Sequence, residues 1–137
     1  MMVSTKGRYA LRIMIDLAQH SDCGYVSLSD VSKRQNVSLK YMEAIVSILN
    51  KADFVESLRG KDGGYRLTRA PRDYTVGSIL KLTEGSLAPI PCSEIGGAGV
   101  CEQAGSCMTF PMWQHLDELI DSYLERITLE DLLNGNV

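Results

Sequence analysis

The chain has 137 residues, 45% of them apolar and 23% charged, which suits one domain with a real core plus an appendage and excludes a disordered polymer. No apolar run approaches the ~20 residues of a membrane span, and the start, MMVSTKGRYALRIM, lacks the long apolar stretch and cleavage site of a signal peptide, so a cytoplasmic protein is expected. The net charge of −3 hides a division: residues 1–74 carry twelve Lys/Arg against eight Asp/Glu, a net of +4, and residues 75–137 carry two against nine, a net of −7. A basic front facing a polyanion, with an acidic back held away from it, would give that polarity.

Residues 5–20 place Tyr9, Ile13 and Leu17 four apart with Ala10, Met14 and Ala18 beside them, which predicts a first helix capped by Ser4 or Thr5. A second, short helix starts at Ser27, followed three residues later by Asp30, points Leu28 and Val31 inward, and ends near Asn36. Ser38 caps a third helix, LKYMEAIVSILNKA, whose Leu39, Met42, Ile45, Val46 and Leu49 form one apolar stripe. Helix, tight turn, helix is the geometry that presents the second member to a major groove.

FVESLRG and YRLTR then read as two strands joined by GKDGG, a glycine-rich hairpin with Arg59, Lys61 and Arg66 on or beside it. Such a wing can approach a phosphate backbone or minor groove while its cations neutralise it. GKDGG has neither the spacing nor the Lys-Ser/Thr ending of a phosphate-cradling Walker loop. A fourth helix runs from the Thr75 cap to Gly85. From Met108, with Pro111 in the first turn, Met112, Trp113, Leu116, Leu119, Ile120, Tyr123, Leu124 and Ile127 recur at three and four, predicting a long helix; Thr128 and Asp131 then open a short terminal one. The expected fold is mainly α with a small β wing. Residues 1–85 form a winged helix-turn-helix domain, 86–107 a cysteine-containing cofactor loop, and 108–137 a dimerisation helix and C-terminal turn. Both histidines fall in helical segments without an acid–base constellation, so no enzyme is expected.

Taken in order, STKGRYAL, SLKYMEAIVSIL, RGKDGGYRL, the cysteine loop and ITLEDLL resemble the winged-helix transcription regulators that include the iron–sulfur cluster regulator IscR, the nitric-oxide sensor NsrR and the cysteine-metabolism regulator CymR. The resemblance implies a homodimer whose long helices cross and whose two reading helices meet the half-sites of a palindromic double-stranded DNA. It carries Ser38, Tyr41 and Glu43 onto the start of the reading helix, Ser57 and Arg59 onto the wing base, and Gly63, Gly64 and Tyr65 onto the wing; Lys40 and Lys61 join them as DNA-binding candidates, and Thr5, Lys6, Arg8 and Tyr9 suit phosphate contacts that fix register rather than read bases. Arg59 could bond guanine bidentately, and Glu43 could accept from cytosine.

Cys92, Cys101 and Cys107 lie in a loop with four glycines, separated by eight and then five residues. In a reducing compartment such thiols read as metal-binding or redox-active. The spacing is not that of a CxxC zinc knuckle, and thiolates on a glycine-rich loop can wrap an iron–sulfur cluster, of two or four irons, whose sulfides accept backbone N–H bonds. In the resembling proteins the fourth ligand is a histidine where this chain has Phe110, or an acid where it has Arg8. An oxygen from another residue of either subunit, water or a small thiol remain open for that place, as do His20, His115 and Cys23, which nothing in the sequence favours. Two other readings keep the same fold: a zinc site or thiol switch on these cysteines, and a cysteine-metabolism regulator acting through a metabolic-enzyme partner.

Overall fold

Five helices begin at a Ser or Thr whose hydroxyl accepts the N–H three residues on, so the sequence's own caps mark where the chain turns helical. A computed structural model describes residues 3–90 and 106–137. Its elements are α1 (Thr5–Gln19), α2 (Leu28–Gln35), α3 (Leu39–Lys51), β1 (Val55–Leu58), β2 (Gly64–Leu67), α4 (Val76–Glu84), α5 (Phe110–Arg126) and α6 (Leu129–Asn134). No described helix is long and apolar enough to cross a membrane.

The apolar stripes meet in one main core. Ile13, Met14 and Leu17 of α1, Val31 of α2, and Met42, Ile45, Val46 and Leu49 of α3 are fully buried there with Val55, Tyr74, Ile79 and Leu129. Each such side chain stabilises the fold by roughly 1.5–3 kcal/mol before conformational entropy is charged against it. Leu39, expected in this stripe, is 41% exposed. It opens a first turn that projects out of the core together with exposed Ser38, Lys40 and Glu43.

Asn36 ends α2 in the left-handed conformation at φ 55°, which its short polar side chain tolerates. The turn into α3 is closed by the Val37 N–H, which donates to the Ser32 carbonyl at 3.2 Å, and by the Ser32 hydroxyl, which donates to the Val37 carbonyl at 2.5 Å.

The wing strands are shorter than the sequence suggests and pair antiparallel, Val55 with Leu67 through Leu58 with Gly64. Tyr65 also exchanges two 2.8 Å backbone bonds with Val26, which anchors the wing to the segment entering α2. Glycine is required there: a Cβ on Gly64 would lie 2.2 Å from the Val26 carbonyl oxygen. At the base of the wing, the buried Tyr74 hydroxyl donates to the Phe54 carbonyl at 2.7 Å and accepts from the Thr68 and Arg69 N–H groups at 3.0 and 3.1 Å.

On the other side, α5 lies against α4 over a smaller core of Val76, Leu80, Leu87 and Ile127, flanked by Ile120 and Leu124. Polar links reinforce it. The Lys81 Nζ reaches Asp121 at 2.5 Å and Glu125 at 3.0 Å, and the Thr75 hydroxyl donates to Glu125 at 3.0 Å. After α5 the chain turns back: the Val76 N–H donates to Ile127 and the Leu129 N–H to Tyr74, carrying Leu129 into the main core. The C-terminal turn therefore packs with the amino-terminal half.

Candidate nucleic-acid interface

The first turn of α3 carries Ser38, Lys40, Tyr41 and Glu43, which the sequence singled out as candidates for DNA contact. Ser38 spends its acceptor on the Tyr41 N–H at 3.2 Å, keeping its own proton to donate, while Lys40 and Glu43 extend from the exposed surface. Ser38, Lys40, Tyr41 and Ala44 line one open hollow. Tyr41 has a second role. Its ring meets that of Tyr9 edge to face, centroids 5.7 Å apart, so α1 supports the start of α3.

A second hollow, lined by Val3, Ser4, Thr5 and Arg8, lies at the amino end of α1, where the Arg8 Nη2 donates to the Thr5 hydroxyl at 3.3 Å. Lys6 is half-buried beside them. On the wing, Ser57, Arg59 and Lys61 are exposed, and Gly63 and Gly64 are half-buried at the tip and the second strand. Gly63 donates its N–H to Gly60 at 3.1 Å to close the turn, and a Cβ on it would stand 2.0 Å from the Leu58 carbonyl oxygen. Arg66 is committed elsewhere: it pairs with Glu56 across the strands and lies 4.5 Å from the centroid of the Tyr25 ring.

Sequence reasoning did not pair the residues that hold these elements in place. Asp16 is 1% exposed and accepts from Arg34 through Nη2 at 2.6 Å and Nε at 3.0 Å, and from Gln35 at 3.0 Å. Burial pushes its carboxyl up, but the hydrogen bonds from Arg34 and Gln35 and the Arg34 charge prevail and hold it below the ordinary carboxylate range. Arg12 donates to the Gln35 side chain at 3.0 Å and to its carbonyl at 2.6 Å. The available signal was an aspartate set among the apolar positions 13, 14, 17 and 18, because a buried carboxylate demands a cation.

Of the three loop cysteines, Cys92 and Cys101 lie outside the described residues. Cys107 stands just ahead of α5. The Thr109 hydroxyl, 3.1 Å from its sulfur, and the Thr109 and Phe110 N–H groups hold its thiol below the usual range, which favours the thiolate that an iron–sulfur cluster takes as ligand. This donor fits such a group. Phe110 opens α5, Arg8 stays on the α1 face, and the His20 Nδ1 lies 2.8 Å from the Asp16 carbonyl oxygen. Among the described residues no three His, Cys, Asp or Glu side chains gather to hold a metal ion.

A family model described as Rrf2, iron-dependent transcriptional regulator, matches residues 3–135. The HTH-type transcriptional regulator IscR of Photobacterium profundum is 39% identical over 136 residues, 99% of this chain and 77% of that protein. Among solved structures, CymR, the global cysteine regulator of B. subtilis, superposes with a TM-score of 0.83 at 35% identity over 98% of each chain. IscR of T. potens gives 0.79 at 38% identity over 100% of this chain and 89% of that one.

Proposed function

The chain belongs to the Rrf2 family of transcriptional regulators, which makes it a DNA-binding regulator and not an enzyme, and from that premise we propose that it is a homodimeric, sequence-specific repressor whose operator binding is controlled by an iron–sulfur cluster on Cys92, Cys101 and Cys107. The observation that carries the reading is Cys107, whose sulfur lies just ahead of α5, 3.1 Å from the Thr109 hydroxyl, with its thiol held below the usual range. The cluster, when bound, supplies an inorganic centre sensitive to oxidants and to loss of iron. The residues do the rest. The segment between α4 and α5 joins the half that faces DNA to the helix that pairs, so fixing it fixes the angle between two reading helices, and half-site spacing is sensitive to that angle. In each subunit Ser38, Lys40, Tyr41 and Glu43 meet the major groove, Arg59 reads a base edge from the wing, and Lys61 and the α1 turn hold phosphates.

Anaerobic purification with iron, sulfide and spectral analysis, followed by operator binding of the loaded and stripped forms, tests this. Loaded and stripped forms that differ in affinity or base preference are expected. A folded protein that takes up no iron or sulfide overturns the cluster. A second reading, a cysteine-metabolism or thiol-redox regulator acting through a partner enzyme or a cysteine switch, is favoured by the likeness to CymR and by Phe110 and Arg8 standing where the resembling proteins have ligands. Recovery of one stoichiometric enzyme with metal-free protein would select it.

A further inference from the structure

The first turn of α1 combines Lys6 and Arg8 with no acidic residue of its own. Cations at a helix amino terminus oppose the macrodipole, whose positive end lies there, so this turn is locally disfavoured. Compensation comes from across the fold. Glu84, the last residue of α4, places its Oε1 where the Ser4 N–H donates at 3.0 Å and the Ser4 hydroxyl donates at 2.5 Å. With its proton turned to that carboxylate, the Ser4 oxygen presents a lone pair to the Gly7 N–H, 3.3 Å away. One carboxylate oxygen thus orients the cap that starts α1. The contact needs Gly7, since a Cβ there would lie 2.4 Å from Glu84 Oε1.

We propose that Glu84 is a positioning residue for DNA binding: by clasping Ser4 it sets the first turn of α1, and with it Thr5, Lys6 and Arg8, in register with the phosphate backbone. This rests on the DNA-contact reading given above. The clasp also lies at the junction with the cysteine segment, because Gly85 follows Glu84 directly, so the α4 end that leads toward the cofactor loop is the end that holds the phosphate-facing turn.

A purely electrostatic role makes the opposite forecast, since removing a negative charge near DNA strengthens binding. Three variants separate the two, each measured for operator affinity, for the slope of affinity against salt, and for melting temperature. Glu84→Ala removes charge and acceptor; it is expected to weaken binding about tenfold on every sequence and to flatten the salt slope by roughly 1–2, the loss of one or two phosphate contacts. Glu84→Gln removes the charge but keeps an oxygen acceptor, and is expected to recover most of what Glu84→Ala loses. Gly7→Ala keeps the charge, displaces the flexible end of Glu84 and favours the helix, so it is expected to weaken DNA binding without lowering the melting temperature.

Tighter binding by both Glu84 variants, or unchanged affinity and salt slope in Glu84→Ala and Gly7→Ala, would overturn the clasp. Arg8→Ala keeps the outcomes distinct. If it weakens binding while the clasp variants do not, the DNA-contact reading stands and the clasp fails; if wild type binds no DNA, the reading itself fails.

Discussion

The guanidinium of Arg34 on α2 closes a fork on the carboxylate of Asp16 on α1, at 2.6 and 3.0 Å, and so ties the first helix of the reading pair to the helix behind it. Breaking it strands a charge, because Asp16 is 1% exposed. Arg34→Ala is expected to cost toward the low end of about 3–5 kcal/mol, since the Arg34 side chain is 36% exposed and water already screens part of the pair. Urea unfolding of the variant against wild type measures it.

The same carboxylate sets an acid limit. The Asp16 carboxyl is lowered in the folded protein: burial alone would raise it, and the Arg34 and Gln35 bonds reverse that. Its stabilising contribution is therefore complete above the unfolded value of ~3.9 and fades as pH falls through the lower folded value. The stability gap between wild type and Asp16→Asn is expected to be constant from pH 7 to about 5 and to narrow below about 4. Thermal melts across that range check it, and a gap that widens in acid contradicts it.

Tyr74→Phe removes one oxygen that serves the Phe54 carbonyl and the Thr68 and Arg69 N–H groups. Leaving such groups without their partner should destabilise by about 1–3 kcal/mol. Amide hydrogen exchange should rise first at Thr68 and Arg69, where the wing joins the body.

Arg59 and Lys61 are both exposed on the wing, yet their expected variants differ. Arg59→Ala should lose roughly 1–3 kcal/mol of discrimination at one base position, whereas Lys61→Ala should weaken all sequences alike and lower the salt slope by about 1. Binding to an operator library read base by base distinguishes them. Uniform weakening in both would make Arg59 a phosphate contact.

The outer face of α5 exposes Met112, Leu116, Leu119 and Tyr123, at 55, 37, 53 and 46%. Their spacing of four, three and four makes one stripe, while Ile120 and Leu124 turn to α4. A charge at its centre, Leu119→Glu, is expected to yield monomers by light scattering and, with only one half-site held, to weaken operator binding by at least a hundredfold, or about 2.7 kcal/mol. A variant that remains dimeric would place the pairing surface elsewhere.

Residues that act through nearest neighbours along the chain were legible in advance. Ser27, Ser38, Thr75 and Thr128 cap helices because a hydroxyl three residues from an N–H needs nothing distant. Asn36 turns left-handed for the same local reason, and the periodic apolar positions of α1 and α3 fill the core because helix pitch alone puts them on one face. Lys40, Glu43, Arg59 and Lys61, candidates for DNA contact, stand on those elements and are exposed.

What the tertiary structure alone decided is which distant residues meet. Glu84 reaches Ser4 across 80 residues, Glu125 reaches Thr75 across 50, and Asp16 takes Arg34 rather than another of the chain's cations. Leu129 joins the main core although it follows the long helix, and Leu39 stays 41% exposed at the start of α3 while Met42, on the same predicted stripe, is fully buried. Periodicity specifies a face but not its partner; a side-chain bond depends on the packing of whole helices, and that is settled only when all the apolar faces are buried together.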